Sequence, residues 1–127
     1  MREWNQSIDA CSFGSISISR IIDMEDAAFP ASALYPDATP EHIKNLSKRF
    51  GRQYINSDSL ELYLSFHSFI VKTKQHTILV DACIGNDKQR PGRPMWTKRS
   101  GPFLDNLHKQ GFSPEDIDYV ICTHLHA

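Results

Sequence analysis

An α/β or α+β fold, a mixed sheet with covering helices, is predicted by this 127-residue sequence on three observations. Period-two apolar alternation marks strands early and midway along the chain. Helical spacing of apolar residues marks two segments between strands. A β-rich run, Tyr119-Val-Ile-Cys, closes the last element. Strands first and last with helices between them make one layered domain, expected to occupy 1–127.

The elements follow in order. Residues 15–22, Ser-Ile-Ser-Ile-Ser-Arg-Ile-Ile, place Ile16 and Ile18 on one face with serines between them, a pattern that β-branched residues suit. Pro30, Pro36 and Pro40, with Tyr35 among them, make 29–40 an extended irregular segment rather than a helix, because proline restricts itself and its predecessor. Such a loop is plain packing or a lid over a pocket. Thr39-Pro40-Glu41 then opens a helix: threonine caps free amides, proline suits the first helical position, and glutamate complements the dipole. Ile43, Leu46 and Phe50 recur at helical spacing, and Gly51 supplies the left-handed stop.

Leu60, Leu62, Leu64 and Phe66 alternate along the next strand. Residues 68–73 and 77–81, separated by Lys74-Gln75-His76, read as a hairpin whose second arm, Ile78-Leu79-Val80, is expected to be buried on both faces. A polar connection, 89–102, carries Pro91, Gly92 and Pro94. Phe103, Leu104 and Leu107 then mark a short amphipathic helix ended by Gly111, and Ser113-Pro-Glu-Asp a capped helical turn.

Composition narrows the function classes. Fourteen Lys+Arg against fifteen Asp+Glu give a net charge of -1, so nothing draws in a nucleic-acid backbone or an anionic membrane. The first residues lack the apolar core of a secretory signal, and the longest apolar runs are strand-sized. Neither a nucleic-acid nor a membrane partner is expected. Cys11, Cys83 and Cys122 are odd in number and widely spaced, which fits a reducing compartment, and a cytoplasmic location is the expectation.

The chemistry concentrates at the carboxyl end. His124 and His126 sit two apart where a strand runs out, and on extended backbone such residues face the same way, roughly 6.5–7 Å apart. Two imidazoles so placed can converge on one ion, and strand ends are where open α/β sheets put their ligands. Ahead of them stand Ile78-Leu79-Val80-Asp81-Ala82-Cys83-Ile84-Gly85-Asn86 and Gly111-Phe-Ser-Pro-Glu-Asp-Ile-Asp-Tyr-Val-Ile-Cys-Thr-His-Leu-His. In these pieces the chain resembles the metallo-β-lactamase-fold metallohydrolases. His67-Ser68-Phe69 and Gly85-Asn86-Asp87-Lys88 look most like the branch of lactonases and methyl-parathion-hydrolase-type enzymes. The likeness is dense from His67 onward and looser over 15–50.

The resemblance implies a four-layer αββα sandwich, of which this chain supplies the amino-terminal half, holding one or two zinc ions, or iron or manganese in some relatives. Metal-activated water there attacks an ester, lactone, amide or phosphoester of a small-molecule substrate. By the same resemblance His124 and His126 are ligands of the first metal. Asp81, and Asn86 with it, stand behind the ligands, Asp81 orienting the ligand loop by hydrogen bonds. Asp81 also reads simply as a turn-forming aspartate at a strand end.

The family's motif continues with Asp-His, but this sequence stops at Ala127. Two imidazoles are half of a tetrahedral set. The expectation is therefore part of a hydrolase, inactive alone and not necessarily metal-loaded. A non-catalytic folded fragment, or a self-associating module with weak or no metal binding, is the alternative. Strands apolar on both faces expect cover, so a homodimer or a strand-exchanged oligomer is expected. Substrate and metal identity stay open, since fold does not fix chemistry and histidine accepts several metals.

Other donors have plainer readings beside the functional ones. Cys122 aligns with His124 and His126 on an extended strand, yet it reads as a small buried apolar residue. His67 can approach the pocket or be a satisfied structural histidine. His42, His76 and His108 read as solvated, Cys83 as packing, and Met95 and Trp96 as cleft lining or surface packing.

Overall fold

The computed structural model describes residues 10–125. Its elements are strands β1 (Ala10–Phe13) and β2 (Ile16–Pro30), helices α1 (Ala31–Leu34) and α2 (Pro40–Phe50), and strands β3 (Ile55–Asn56), β4 (Glu61–Lys72) and β5 (Thr77–Val80). Helix α3 (Phe103–Lys109) and strand β6 (Tyr119–Ile121) complete the set, with 3-10 turns at Pro94–Trp96 and Pro114–Asp116. The described strands form one sheet in the order β1-β2-β4-β5-β6, with β3 pairing β4. All pairings whose register is defined are antiparallel except β5 with β6, so the sheet is mixed as expected. No helix among the described residues is long and apolar enough to cross a membrane.

The described residues divide into two compact units. One comprises 25–65. Its core is Ala31, Ile43 and Ile55, with Ala38, Leu60 and Leu62 packed against them. Helix α2 starts and stops where the sequence says: the Thr39 hydroxyl accepts the His42 amide at 3.2 Å, and Gly51 takes φ 98° just past the end. His42 does more than face solvent, since its Nδ1 accepts the Thr39 amide at 3.4 Å and completes the cap. Only Ile43 of the expected apolar stripe is buried. Leu46 and Phe50 are exposed, and Ser47 takes the inner position by donating its hydroxyl to the Ile55 carbonyl.

Residues 29–40 depart from the extended reading. β2 runs to Pro30, and Ala31–Leu34 then makes one helical turn. Pro30 precedes that turn, where its missing amide breaks no bond, and the buried Ala31 donates its amide to the Leu60 carbonyl at 2.9 Å.

The second unit comprises 10–24 and 66–125. Ile21, Ile70, Leu79 and Leu107 form its core, joined by Phe103, Phe112 and Ile117. Each fully buried aliphatic side chain of this kind contributes about 1.5–3 kcal/mol. Leu107 comes from α3, so that helix covers the sheet through one face. Gly111 follows it at φ 83°, and at the 3-10 turn Asp116 Oδ2 then accepts the Ser113 amide at 2.7 Å and the Ser113 hydroxyl at 2.8 Å.

Two strand expectations change. The runs at 60–66 and 68–73 are a single strand, β4, because nothing at His67 interrupts the ladder. β5 alternates, with Thr77 and Leu79 buried and Ile78 and Val80 half-buried, so it is not closed over on both faces. A sheet covered on one side leaves alternate residues partly wet. Its partner β6 is apolar but open: Tyr119, Val120 and Ile121 are 53%, 57% and 50% exposed.

Candidate metal centre

The site grows from the carboxyl ends of the parallel pair β5 and β6. Asp81 leaves β5 with its amide donating to the Ile121 carbonyl at 2.8 Å and its own φ at 61°. Aspartate is one of the few side chains that tolerates this left-handed backbone. The turn aims the carboxylate at the end of β6. There Oδ1 accepts the Thr123 amide at 2.8 Å, and Oδ2 accepts the Thr123 hydroxyl at 2.7 Å. The hydroxyl bond, then the amide bond, hold the Asp81 carboxyl below the usual carboxylate range, and the charge of His124 adds to them.

That arrangement constrains His124. The Thr123 Oγ1 lies 2.9 Å from His124 Nδ1. A hydroxyl has one proton, and here Asp81 takes it, so the bond to the ring requires Nδ1–H as donor. The neutral imidazole is then the tautomer with its acceptor lone pair on Nε2. Metal-ligating rings are commonly oriented by donating the other ring N–H to an oxygen acceptor, and Thr123, itself held by Asp81, offers one to His124.

The other expected residues are placed less decisively. His126 lies outside the described residues. Among the described residues no three His, Cys, Asp or Glu side chains gather in a way that could hold an ion. One imidazole falls short of the three protein ligands of a catalytic zinc, so the described residues do not by themselves make a metal centre. Asn86 does not join Asp81. Its amide group bonds both ways with the Gly101 backbone, at 2.7 and 3.0 Å, and so ties the two ends of a loop. Cys122, read from sequence as a small buried apolar residue, is exposed, just past the open strand β6. His67 packs edge-on against Phe69, and Trp96 is buried edge-on against Phe66 while Met95 is exposed.

The segment after Asp81 is unusual. Asp81, Cys83, Gly85 and Asp87 all have positive φ, 61°, 54°, 75° and 57°. Cys83 has no polar side-chain oxygen to ease this conformation, so the surroundings must hold it. Its thiol sits 3.1 Å from the buried Ser68 hydroxyl, and burial pushes its pKa up to about 11. The main restraint is an ion pair the sequence reading missed. Asp23, fully buried, receives the Arg99 Nη1 at 2.5 Å on Oδ1 and the Ile84 amide at 3.2 Å on Oδ2. Arg99 Nη2 also donates to the Asp23 carbonyl at 2.5 Å, and Arg90 Nη2 donates to the Ile84 carbonyl at 2.6 Å. A signal existed: Asp23 shares a face with Ile21, and a carboxylate at an inward strand position requires a partner.

Residues 66–127 match the Metallo-beta-lactamase superfamily. Three solved structures share the fold. AidC, a dizinc quorum-quenching lactonase solved with a product, N-hexnoyl-L-homoserine, is 21% identical with TM-score 0.68, over 92% of this chain and 35% of that one. A probable metal-dependent hydrolase from Staphylococcus aureus is 24% identical with TM-score 0.66, over 91% and 40%. The hydrolase AbOPH of the β-lactamase superfamily is 21% identical with TM-score 0.67, over 92% and 35%. This chain thus spans 35 to 40% of the length of these structures. No curated protein matches the sequence. The fold is that of part of a metallo-β-lactamase αββα sandwich, a mixed sheet with covering helices, and its carboxyl half matches that superfamily.

Proposed function

We propose that this chain is part of a metal-dependent hydrolase acting on an ester, lactone or phosphoester, with His124 and His126 as two ligands of a zinc ion or a related first-row metal. The observation that supports this reading best is the Asp81–Thr123–His124 relay, which sets one imidazole in a metal-competent tautomer at the end of a parallel strand pair. Such an ion, when bound, supplies Lewis acidity and lowers the pKa of water to about 7. Asp81 fixes the Thr123 amide and hydroxyl, Thr123 holds the proton on His124 Nδ1, and Asn86 closes the loop behind them. The described residues gather no three metal donors, so on this reading the chain by itself is expected to turn over no substrate.

Zinc titration by calorimetry, on this chain and on the His124→Ala, His126→Ala variant, tests the reading. The parent is expected to bind and the variant to lose binding; equal uptake by both refutes it.

The open strand β6 favours a second reading, which is compatible with the first: self-association through that edge, either as an isologous dimer or by strand exchange. Sedimentation at micromolar concentration is expected to show a dimer, and a monomer refutes this reading.

A further inference from the structure

We infer that the buried Asp23–Arg99 pair is a positioning device for the candidate site, gripping Ile84 so that Asp81, three residues earlier, holds Thr123 and His124 in place; the inference rests on the reading proposed above. Both backbone polar groups of Ile84 are held by side chains, its amide by Asp23 and its carbonyl by Arg90. Between Ile84 and Asp81 lie only Ala82 and the left-handed Cys83, so little slack separates the clamp from the carboxylate. The far side of the loop is fastened as well. The Asp87 amide donates to the Arg99 carbonyl at 2.9 Å, the Lys98 amide to the Lys88 carbonyl at 2.8 Å, and Asn86 closes on Gly101. Arg99 therefore anchors both the buried carboxylate and the returning limb of the loop.

A role in stability alone explains this poorly. The Asp23 side chain has no exposure and that of Arg99 only 12%. Burying two charges is costly, and apolar residues of similar volume often serve a fold as well or better. What an apolar pair cannot supply is an acceptor for the Ile84 amide.

Two double variants separate the roles: Asp23→Leu with Arg99→Met, which removes charges and acceptor together, and Asp23→Asn with Arg99→Met, which removes the charges but keeps an acceptor oxygen. Amide exchange by NMR, on the full chain without metal, reads the Ile84 and Thr123 amides against the β4–β5 ladder as control. The Leu/Met variant is expected to keep the ladder protected while both test amides exchange about tenfold faster or more. The Asn/Met variant is expected to stay near the parent. Zinc affinity is expected to follow, falling about 10- to 100-fold in the first variant only, the range typical for residues that orient ligands.

Unchanged exchange in the Leu/Met variant overturns the inference, and so does equal loss in both. Loss of the whole fold in both variants also overturns it, by making the pair a determinant of the fold and not of the loop. If the parent binds no zinc, the metal reading fails by itself, and exchange still decides whether Asp23 and Arg99 position Asp81 and Thr123.

Discussion

Removing Arg99 alone is predicted to be among the most damaging single changes in the second unit. Arg99→Met keeps most of the aliphatic stem but deletes two short charged hydrogen bonds, one to Asp23 Oδ1 and one to the Asp23 carbonyl. Bonds of this kind are worth about 1.5–3 kcal/mol each. The change also strands a carboxylate with no exposure, left with only the Ile84 amide. Together these place the cost at about 3–5 kcal/mol, the range for breaking a buried pair by deleting one partner. Adding Asp23→Leu removes the stranded charge but leaves the Ile84 amide without its acceptor, so the double variant is expected to recover part of that cost and to lie about 1–3 kcal/mol below the parent. The assay is urea unfolding followed by circular dichroism on parent, both singles and the double, with m-values compared so that only stability is read. A large coupling energy from the cycle confirms that the two residues act as one unit. Arg99→Met costing under about 1 kcal/mol would refute the reasoning, because it would mean that water already reaches Asp23.

Three further outcomes follow from other parts of the molecule. Leu107→Ala, which hollows the core shared by Ile21, Ile70 and Leu79, is expected to cost about 2–5 kcal/mol in the same assay. Iodoacetamide at pH 8 is expected to modify Cys11 and Cys122 readily and Cys83 hardly at all, since the first two are exposed and burial raises the Cys83 pKa to about 11; mass spectrometry of peptides reads the order. Asp116 accepts the Ser113 amide, then its hydroxyl, and these bonds hold its carboxyl below the ordinary value of 3.8. A lowered folded-state pKa gives stability that is present above 3.8 and lost as pH falls through the lower folded value, so Ser113→Ala is expected to flatten the acid limb of a stability profile.

The parts legible in the sequence were those written in local rules. Thr39, Pro40 and Gly51 bounded α2, Gly111 followed α3, and Ser113 with Asp116 closed their turn, because caps act on residues three or four positions away. What stayed hidden depends on distant partners. No local pattern says that Ser47 replaces Leu46 as the inner residue of α2, since its acceptor is the Ile55 carbonyl. None says that Cys122 is open to solvent. The site followed the same division. His124 and Asp81 could be picked out by spacing and resemblance, whereas Thr123, which joins them, is an ordinary residue until the fold brings β5 and β6 together. Arg99 was invisible for a similar reason, standing 76 positions from its partner in a polar connection.

The parallel register of β5 and β6 also sets an order of events in folding. The β4–β5 hairpin closes through a short turn, with the Thr73 amide on the His76 carbonyl, so it can form early. β6 must arrive from 41 residues away, where Asp118 receives the Thr77 amide at 2.7 Å and Ile78 meets Tyr119. Closing a tenfold longer span costs about 2 kcal/mol more in chain entropy before any contact repays it. β6 therefore docks after the hairpin, onto a template already built, and Thr123 meets Asp81 only once it has done so.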